Sequence, residues 1–350
     1  MRTRYDSAAM RTLAVLFLVL LHPMAIHAQA VAPERAPAAG AGLVVGSENL
    51  FSPIVASLER ALAFYRDGVG LQAAGAPSNS DVNTPLRHVF GLPDAHLRWA
   101  VARPPAMTSG IEITEISGTP ARPLGRRVQD PGAFMLLVTV TDVDAAMQRM
   151  TALGGTVVTG SGGPVTAGRT NKLRAVVVRD PDGHFVELLQ PDTLPAGAPP
   201  GAIDARLRLT VDDLDRAVDL YRDALGLQQA SISGFTNDRT GMDLLGLPQG
   251  GEYRYASLQV PGSKLSLELI EFRGIERQRV AGRIQDPGST RLQLQVRDLD
   301  AAVRAVVDAG GAVVSTGGAP LELPAGGGAT VQGVMVRDPN NLFLVLLAGT

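Results

Sequence analysis

The chain has 350 residues, of which 45% are hydrophobic and 19% charged, which is ordinary for a globular protein and long enough for about two domains. Aromatic residues make up 4% and the formal net charge is −2, so neither a base-stacking surface nor a basic nucleic-acid-binding face is expected. The sequence contains no cysteine, which excludes disulfides, thiolate nucleophiles and thiolate metal ligands.

The first 30 residues have the three parts of a secretory signal peptide. Arg2, Arg4 and Arg11 form a positively charged segment before the apolar run LAVLFLVLL at 13–21. Ala28-Gln29-Ala30 has the small-x-small form of a cleavage site. Because the run is too short to cross a bilayer, we predict a signal peptide at 1–30, with an uncleaved membrane anchor as the alternative. The mature protein would be secreted or periplasmic, would have no membrane span, and would begin with a flexible leader at 31–44.

The rest of the chain is a tandem repeat. Three segments of one half return in the other, two with an offset of 156 residues and the last with an offset of 158. They are LERALAFYRDGVGLQ (58–72) with LDRAVDLYRDALGLQ (214–228), VQDPG (128–132) with IQDPG (284–288), and VVVRDPDGHFVELLQP (176–191) with VMVRDPNNLFLVLLAG (334–349). We therefore predict two domains, at 45–193 and 203–349, joined by a linker at 194–202.

Each half divides again into two similar units. Four segments repeat apolar residues at i, i+3, i+4 and i+7, which predicts amphipathic helices, and an alternating strand precedes each of them. The candidate N-caps are Ser57, Asp142, Asp213 and Asp298. Strand-like runs follow each helix, so the unit is a βαβββ module that occurs four times, and the predicted fold class is α+β. We number these modules 1 to 4 in chain order.

Two segments resemble the signatures of a known family. DLDRAVDLYRDALGL at 213–227 and RDPDGHFVELLQP at 179–191 are similar to motifs of the vicinal oxygen chelate superfamily, which includes glyoxalase I, extradiol dioxygenases and bleomycin resistance proteins. The resemblance implies that the four modules pair into two glyoxalase-like domains, whose curled mixed sheets form cups. It does not imply one reaction, because the same fold carries several chemistries.

In metal-dependent members of that family, the ligands stand at four fixed positions of the cup-facing strands, with His usual at the first and third and Glu at the second and fourth. In this chain the four positions contain Leu50, Glu112, Met135 and Glu187 in the first half, and Arg206, Glu268, Arg291 and Val345 in the second. The resemblance therefore implies an incomplete metal site at Glu112 and Glu187. A divalent metal ion is the one candidate cofactor, although transition metals favour the imidazole or thiolate ligands that are missing.

The modules could pair within each half, or module 2 could share a cup with module 3. The second arrangement would bring Met135 and Glu187 against Arg206 and Glu268. The Arg206 guanidinium could then replace a metal ion between the carboxylates, because its fork geometry suits carboxylate oxygens. The sequence does not choose between these pairings.

Strand alternation also predicts a ligand pocket in the second half. If Arg206 is directed into a cup, Arg208 shares its face, and Gln293 and Gln295 share the face of Arg291 in the same way. The predicted ligand-binding set consists of Arg206, Arg208, Glu268, Arg291, Gln293 and Gln295. Two or more arginines beside apolar walls suit a small anion. The alternative is a solvated sheet face with surface ion pairs.

Outside the signal peptide, histidine occurs at positions 88, 96 and 184. His184 stands three residues before Glu187 on a predicted strand, so its side chain should face away from Glu187 and have a packing role. His88 and His96 flank a turn and could line the mouth of a cup. The Asp of each RDP segment is predicted to be structural.

These observations predict an exported protein that binds a small organic molecule, with a preference for anions, in a cup whose metal site is degenerate. A divalent-metal-dependent lyase, isomerase or dioxygenase that uses Glu112 and Glu187 is the alternative, and a structural scaffold is a third hypothesis. No motif indicates a nucleic-acid partner, and the chain would act as a monomer or a homodimer.

Overall fold

The computed structural model describes residues 42–47, 51–80, 84–105, 107–167, 172–324 and 328–349. The predicted signal peptide, most of the predicted leader and Leu50 lie outside these residues. Among the described helices, none is both long and apolar enough to cross a membrane.

The first half of the chain forms modules 1 and 2. Module 1 follows β1 (Val44–Gly46) and contains β2 (Ser52–Val55), α1 (Leu58–Ala63), β3 (Gln72–Ala73), β4 (Ser78–Asn79), α2 (Thr84–Val89), β5 (His96–Arg103) and β6 (Ile111–Ser117). Module 2 contains β7 (Phe134–Val140), α3 (Val143–Ala152), β8 (Thr156–Val157), β9 (Val165–Ala167), β10 (Leu173–Arg179) and β11 (Phe185–Pro191).

The second half forms modules 3 and 4 with the same plan. Module 3 contains β12 (Ala202–Val211), α4 (Leu214–Val218), β13 (Gln228–Ile232), α5 (Arg239–Leu244), β14 (Glu252–Gln259) and β15 (Ser266–Arg273). Module 4 contains β16 (Thr290–Val296), α6 (Leu299–Asp308), β17 (Ala312–Val313), β18 (Leu321–Pro324), β19 (Thr330–Arg337) and β20 (Phe343–Gly349). Helices α1 and α4 continue into π-helical segments, at Phe64–Val69 and Asp219–Ala224. The predicted α+β architecture of four modules is confirmed.

The predicted N-caps are confirmed at the start of α1, α3, α4 and α6. The side chains of Ser57, Asp142, Asp213 and Asp298 accept hydrogen bonds from the backbone N–H groups of Arg60, Ala145, Arg216 and Ala301, respectively. Each cap residue has an extended backbone, so it ends the strand and begins the helix at one position. Because side chains alternate along a strand, the position of the cap fixes which side chains of the preceding strand face the cup.

The modules pair across the two halves of the sequence. Modules 2 and 3 form one mixed sheet, in which β7 and β12 pair antiparallel at the seam, with β11 parallel to β7 and β15 parallel to β12. Modules 1 and 4 form the other, in which β2 and β16 pair antiparallel, with β6 parallel to β2 and β20 parallel to β16. Neither sheet is closed. The sheets thus adopt the pairing of module 2 with module 3 that the sequence left open.

The helices pack between the two sheets. One large buried cluster takes residues from both sheets and from the helices, including Leu136 of β7, Leu207 of β12 and Leu292 of β16. The opposite face of each sheet carries a separate apolar cluster. We call these faces cup 2–3 and cup 1–4 after the modules that form them. Met242 and Leu244 of α5 pack into the cluster of cup 2–3, so this helix covers part of that cup.

Candidate functional site

Arg208 lies at the centre of cup 2–3, between two carboxylates. Its side chain is buried, and it donates through Nη1 to Glu187 and through Nε to Glu268. Nη1 also lies 3.6 Å from the sulfur of Met135. Register explains this arrangement, because Arg208 is paired with Glu268 of β15 on one side and with Met135 of β7 on the other. Glu187 reaches the guanidinium from β11, across β7.

The charges in this cluster depend on each other. Glu187 is 2% exposed, and burial raises the pKa of its carboxyl group, while the Arg208 cation opposes that rise and the Glu268 carboxylate adds to it. Burial alone would lower the pKa of Arg208, but attraction to Glu187 and Glu268 raises it above its usual value. The guanidinium is therefore a permanent cation that compensates two carboxylates which would otherwise repel each other.

The sequence predicts Arg206 as the cation between the carboxylates, whereas the structure places Arg208 there, two residues further along β12. Arg206 is paired with Leu137 of β7, whereas Arg208 is paired with Met135. The half-buried Arg206 still favours the ionised form of Glu187 by its charge. Both arginines share the cup face, as alternation predicted, and the register of β7 against β12 decides which one joins the carboxylates.

Cup 2–3 is more exposed at the end marked by Arg206. Ser266 is half-buried there, and its Oγ lies 3.5 Å from that of the half-buried Ser257, whereas the half-buried Tyr255 lies level with Thr210, two residues beyond Arg208. Burial raises the pKa of the Tyr255 phenol, and the Glu268 carboxylate adds to this effect, so the phenol is neutral and can donate at neutral pH. The open end therefore combines a cation with two hydroxyl groups, and the phenol lies further along the cup.

Arg291 is the buried arginine at the seam of cup 1–4. It forms an ion pair with Glu112 of β6, and its guanidinium lies 5.2 Å from the centre of the Phe90 ring. Burial lowers the pKa of Arg291 to about 10, while the ion pair with Glu112 favours the charged form, so Arg291 is a cation at neutral pH. Its partner across the seam is Ser52 of β2.

The six predicted ligand-binding residues are divided between the two cups. Arg206, Arg208 and Glu268 lie in modules that form cup 2–3, whereas Arg291, Gln293 and Gln295 lie on β16 in cup 1–4. Gln293 and Gln295 are half-buried, and the Ser47 hydroxyl donates to the backbone carbonyl of Gln293 at 2.7 Å. A single pocket built from all six is not assembled, because modules 3 and 4 belong to different sheets.

The two predicted metal ligands are also separated. Glu112 lies in cup 1–4 and Glu187 in cup 2–3, so they do not share a coordination sphere. In the part of the chain that the structure describes, no three His, Cys, Asp or Glu side chains come together at a spacing suited to a metal ion. The donor set of cup 2–3 does not fit a divalent cation, because an arginine already occupies the space between Glu187 and Glu268.

His184 belongs to a buried network that holds modules 1, 2 and 4 together. Its Nδ1 lies 3.2 Å from Asp180, and its Nε2 lies 3.0 Å from the backbone carbonyl oxygen of Ser289. The Tyr65 hydroxyl donates to the same Asp180 carboxylate at 3.0 Å. Burial tends to lower the pKa of His184, but Asp180 more than offsets this, so the pKa lies above its usual value. The predicted packing role omitted this network, although Tyr65 and Asp180 both stand in repeated segments.

The other two histidines have peripheral positions. His88 is half-buried in α2, and His96 is exposed at the start of β5. In the second copy, Tyr221 donates to Asp338 at 2.9 Å, and Leu342 replaces the histidine. The structural role predicted for the two RDP aspartates thus agrees with their buried hydrogen bonds.

Comparison with known proteins identifies the architecture. The family model for the Glyoxalase/Bleomycin resistance protein/Dioxygenase superfamily matches residues 51–188 and 205–344. A mutant glyoxalase I from Zea mays superposes with a TM-score of 0.56 at 20% identity, covering 87% of this chain and 92% of the other. A dioxygenase-like protein from Bacillus subtilis gives a TM-score of 0.50 at 12% identity, covering 88% and 86%. At these identities the similarity shows the fold alone. No curated protein matches the chain.

Proposed function

Since the chain belongs to the Glyoxalase/Bleomycin resistance protein/Dioxygenase superfamily but has an arginine between the carboxylates of cup 2–3, we propose that it binds a small organic molecule without a resident metal ion. The predicted signal peptide extends the proposal to an exported protein, either secreted or periplasmic.

The observation that carries this proposal is the ion-paired cluster of Arg208 with Glu187 and Glu268. A divalent cation at this place would have to displace a buried guanidinium that both carboxylates already bind. The displaced cation would lose its partners in an apolar environment, which is strongly unfavourable. The fork of a guanidinium also presents several fixed donors, so it can hold two carboxylates in a defined geometry. The residues of this cup therefore support binding by hydrogen bonds and charge rather than by a metal centre.

Both cups combine apolar walls with a few polar groups, which is the usual composition of small-molecule sites. Cup 2–3 offers Arg206 and the two serines at its open end and Tyr255 further along the cup, and cup 1–4 offers Arg291 with two half-buried glutamines. The arginines support a preference for anions. A role as a scaffold alone would give no reason for such groups on the faces that point away from the helices.

Ligand binding can be tested by thermal unfolding of the mature protein against a panel of small organic acids and their neutral analogues, each with and without EDTA. We expect at least one compound to raise the unfolding midpoint in a saturable way that EDTA does not change. A compound present at 100 times its Kd stabilises the folded state by about 2.7 kcal/mol, which such an assay resolves. The exposed Arg216→Ala variant, whose side chain is 87% exposed, should respond like the wild type.

Two outcomes would contradict the proposal. Stabilisation that EDTA abolishes and an added divalent metal restores would favour a metal-dependent activity. A complete lack of saturable stabilisation across the panel would favour the scaffold hypothesis.

A further inference from the structure

Two buried polar atoms lie on paired residues at the seam of cup 1–4. They are Nε of Arg291 and Oγ of Ser52, and neither has a hydrogen bond within the part of the chain that the structure describes. The two residues are direct neighbours in the antiparallel pairing of β16 with β2. Ser52 is 1% exposed and Arg291 4% exposed, so bulk water does not supply the missing partner.

Such atoms point to an acceptor other than the described residues. The great majority of buried polar groups in proteins have a hydrogen-bond partner, and a buried group without one is unfavourable. The Nε–H of arginine can only donate, and the serine hydroxyl is free to donate in any direction. Two donors on paired residues can therefore share one acceptor oxygen.

Comparison of the two cups shows which group is missing. With the 156-residue offset, Arg291 corresponds to Met135, Ser52 to Arg208, and Glu112 to Glu268. Each cup thus has a buried arginine at its seam, on β12 of module 3 in one cup and on β16 of module 4 in the other. In each cup this arginine pairs with one carboxylate from module 3 or module 1, Glu268 or Glu112.

The second carboxylate differs between the cups. In cup 2–3 it is Glu187, and the corresponding residue of module 4, with an offset of 158, is Val345. Val345 is buried in the apolar cluster of cup 1–4. Among the described residues, Arg291 therefore has one carboxylate partner where Arg208 has two.

We propose that cup 1–4 binds the carboxylate group of a small aromatic or branched apolar acid, one oxygen of which accepts hydrogen bonds from Arg291 Nε and Ser52 Oγ. The ligand supplies the carboxylate that Glu187 provides in the other cup. Phe90 beneath the guanidinium and the apolar cluster that includes Leu97, Ile116 and Val345 contact the rest of the acid. This inference rests on the proposed function and specifies its ligand class.

The proposal can be tested with benzoate and phenylacetate as probes, using isothermal titration calorimetry on the mature protein. Both should bind saturably, whereas benzamide and phenylacetamide, which lack the charge, should bind at least tenfold more weakly. Ser52→Ala should weaken benzoate binding about tenfold, which corresponds to the loss of one hydrogen bond to a charged group. Without a ligand, Ser52→Ala should be as stable as the wild type, because it removes a buried hydroxyl that has no partner.

A second variant tests the comparison of the cups directly. Val345→Glu installs the missing carboxylate, so it should compete with the acid for Arg291 and abolish detectable benzoate binding while the protein stays folded by circular dichroism. Arg216→Ala, on the exposed face of α4, should bind the acids like the wild type.

The inference is overturned if neither acid binds saturably, if the amides bind as well as the acids, or if Ser52→Ala and Val345→Glu retain wild-type affinity. Its failure differs from failure of the proposed function. Neutral compounds that stabilise the protein independently of EDTA would leave the proposed function intact, whereas a panel without any ligand would contradict both.

Discussion

Replacing Arg208 with methionine is expected to lower the free energy of unfolding by about 3–5 kcal/mol at neutral pH. The substitution leaves Glu187 and Glu268 next to each other, with Glu187 almost fully buried and without the cation that compensates it. Removal of one partner from a buried ion pair has this large effect because the remaining charge keeps its desolvation penalty. Urea unfolding of the wild type and the variant measures the difference.

The destabilisation by Arg208→Met should become smaller as the pH falls. Burial raises the pKa of Glu187 already in the wild type, and the loss of Arg208 raises it further. A carboxyl group whose pKa is higher in the folded than in the unfolded state contributes stability below its unfolded pKa, and that contribution is lost as the pH rises through the folded pKa. The variant should therefore lose stability relative to the wild type as the pH rises above about 4.5, the ordinary pKa of a glutamate side chain.

Controls separate the cluster from general effects of charge. Arg216→Met removes an exposed arginine that lies 3.7 Å from Asp213, and should change stability by no more than about 0.5 kcal/mol. Adding Glu187→Gln to Arg208→Met should recover part of the loss at neutral pH. An Arg208→Met effect below about 1 kcal/mol, or one that does not vary with pH, would show that the cluster is solvated rather than buried.

Replacing Asp180 with alanine is the second substitution with a large expected effect, about 3–5 kcal/mol of destabilisation. Its buried carboxylate accepts hydrogen bonds from the Tyr65 hydroxyl, the His184 ring and the backbone N–H groups of Asp182 and His184. All of these groups stay buried when the acceptor is removed, and each unsatisfied group has its own penalty. Chemical denaturation at neutral pH gives the value.

The second copy provides a matched control for this network. Asp338 accepts from the Tyr221 hydroxyl and from the backbone N–H groups of Asn340 and Leu342, so Asp338→Ala should be destabilising by a similar but smaller amount. Asp144→Ala, which removes a half-exposed surface ion pair with Arg174, should cost less than about 1 kcal/mol. If Asp180→Ala behaves like Asp144→Ala, the network does not hold the modules together.

The local parts of the fold could be predicted from the sequence because they depend on neighbouring residues. The helix period, the four N-caps and the internal repeat all follow from patterns within about 15 residues or from a constant offset. The pairing of module 2 with module 3 could not be predicted, because either pairing would bury the same apolar faces. The N-cap at Ser57 is an example of a local feature that the sequence predicts. The seam between β7 and β12 is an example of a long-range feature that it does not predict.

The site shows the same division. Alternation predicted that Arg206 and Arg208 face one cup, but the choice between them depends on the register of β12 against β7, which lies about 70 residues away in the sequence. The split of the predicted ligand set between two cups has the same origin. The network of Tyr65 with Asp180 joins residues that are 115 positions apart, so neither residue indicates its partner.

In the proposed function, Arg208 takes the place of a metal ion between the carboxylates of cup 2–3. The most direct test is elemental analysis of the mature protein by mass spectrometry, after incubation with Mn²⁺, Fe²⁺, Ni²⁺ or Zn²⁺ and removal of free metal. We predict a metal content far below one equivalent for every ion, unchanged in Glu187→Ala and Glu268→Ala. About one equivalent of a single metal that both substitutions remove, and that Arg216→Ala retains, would contradict the claim.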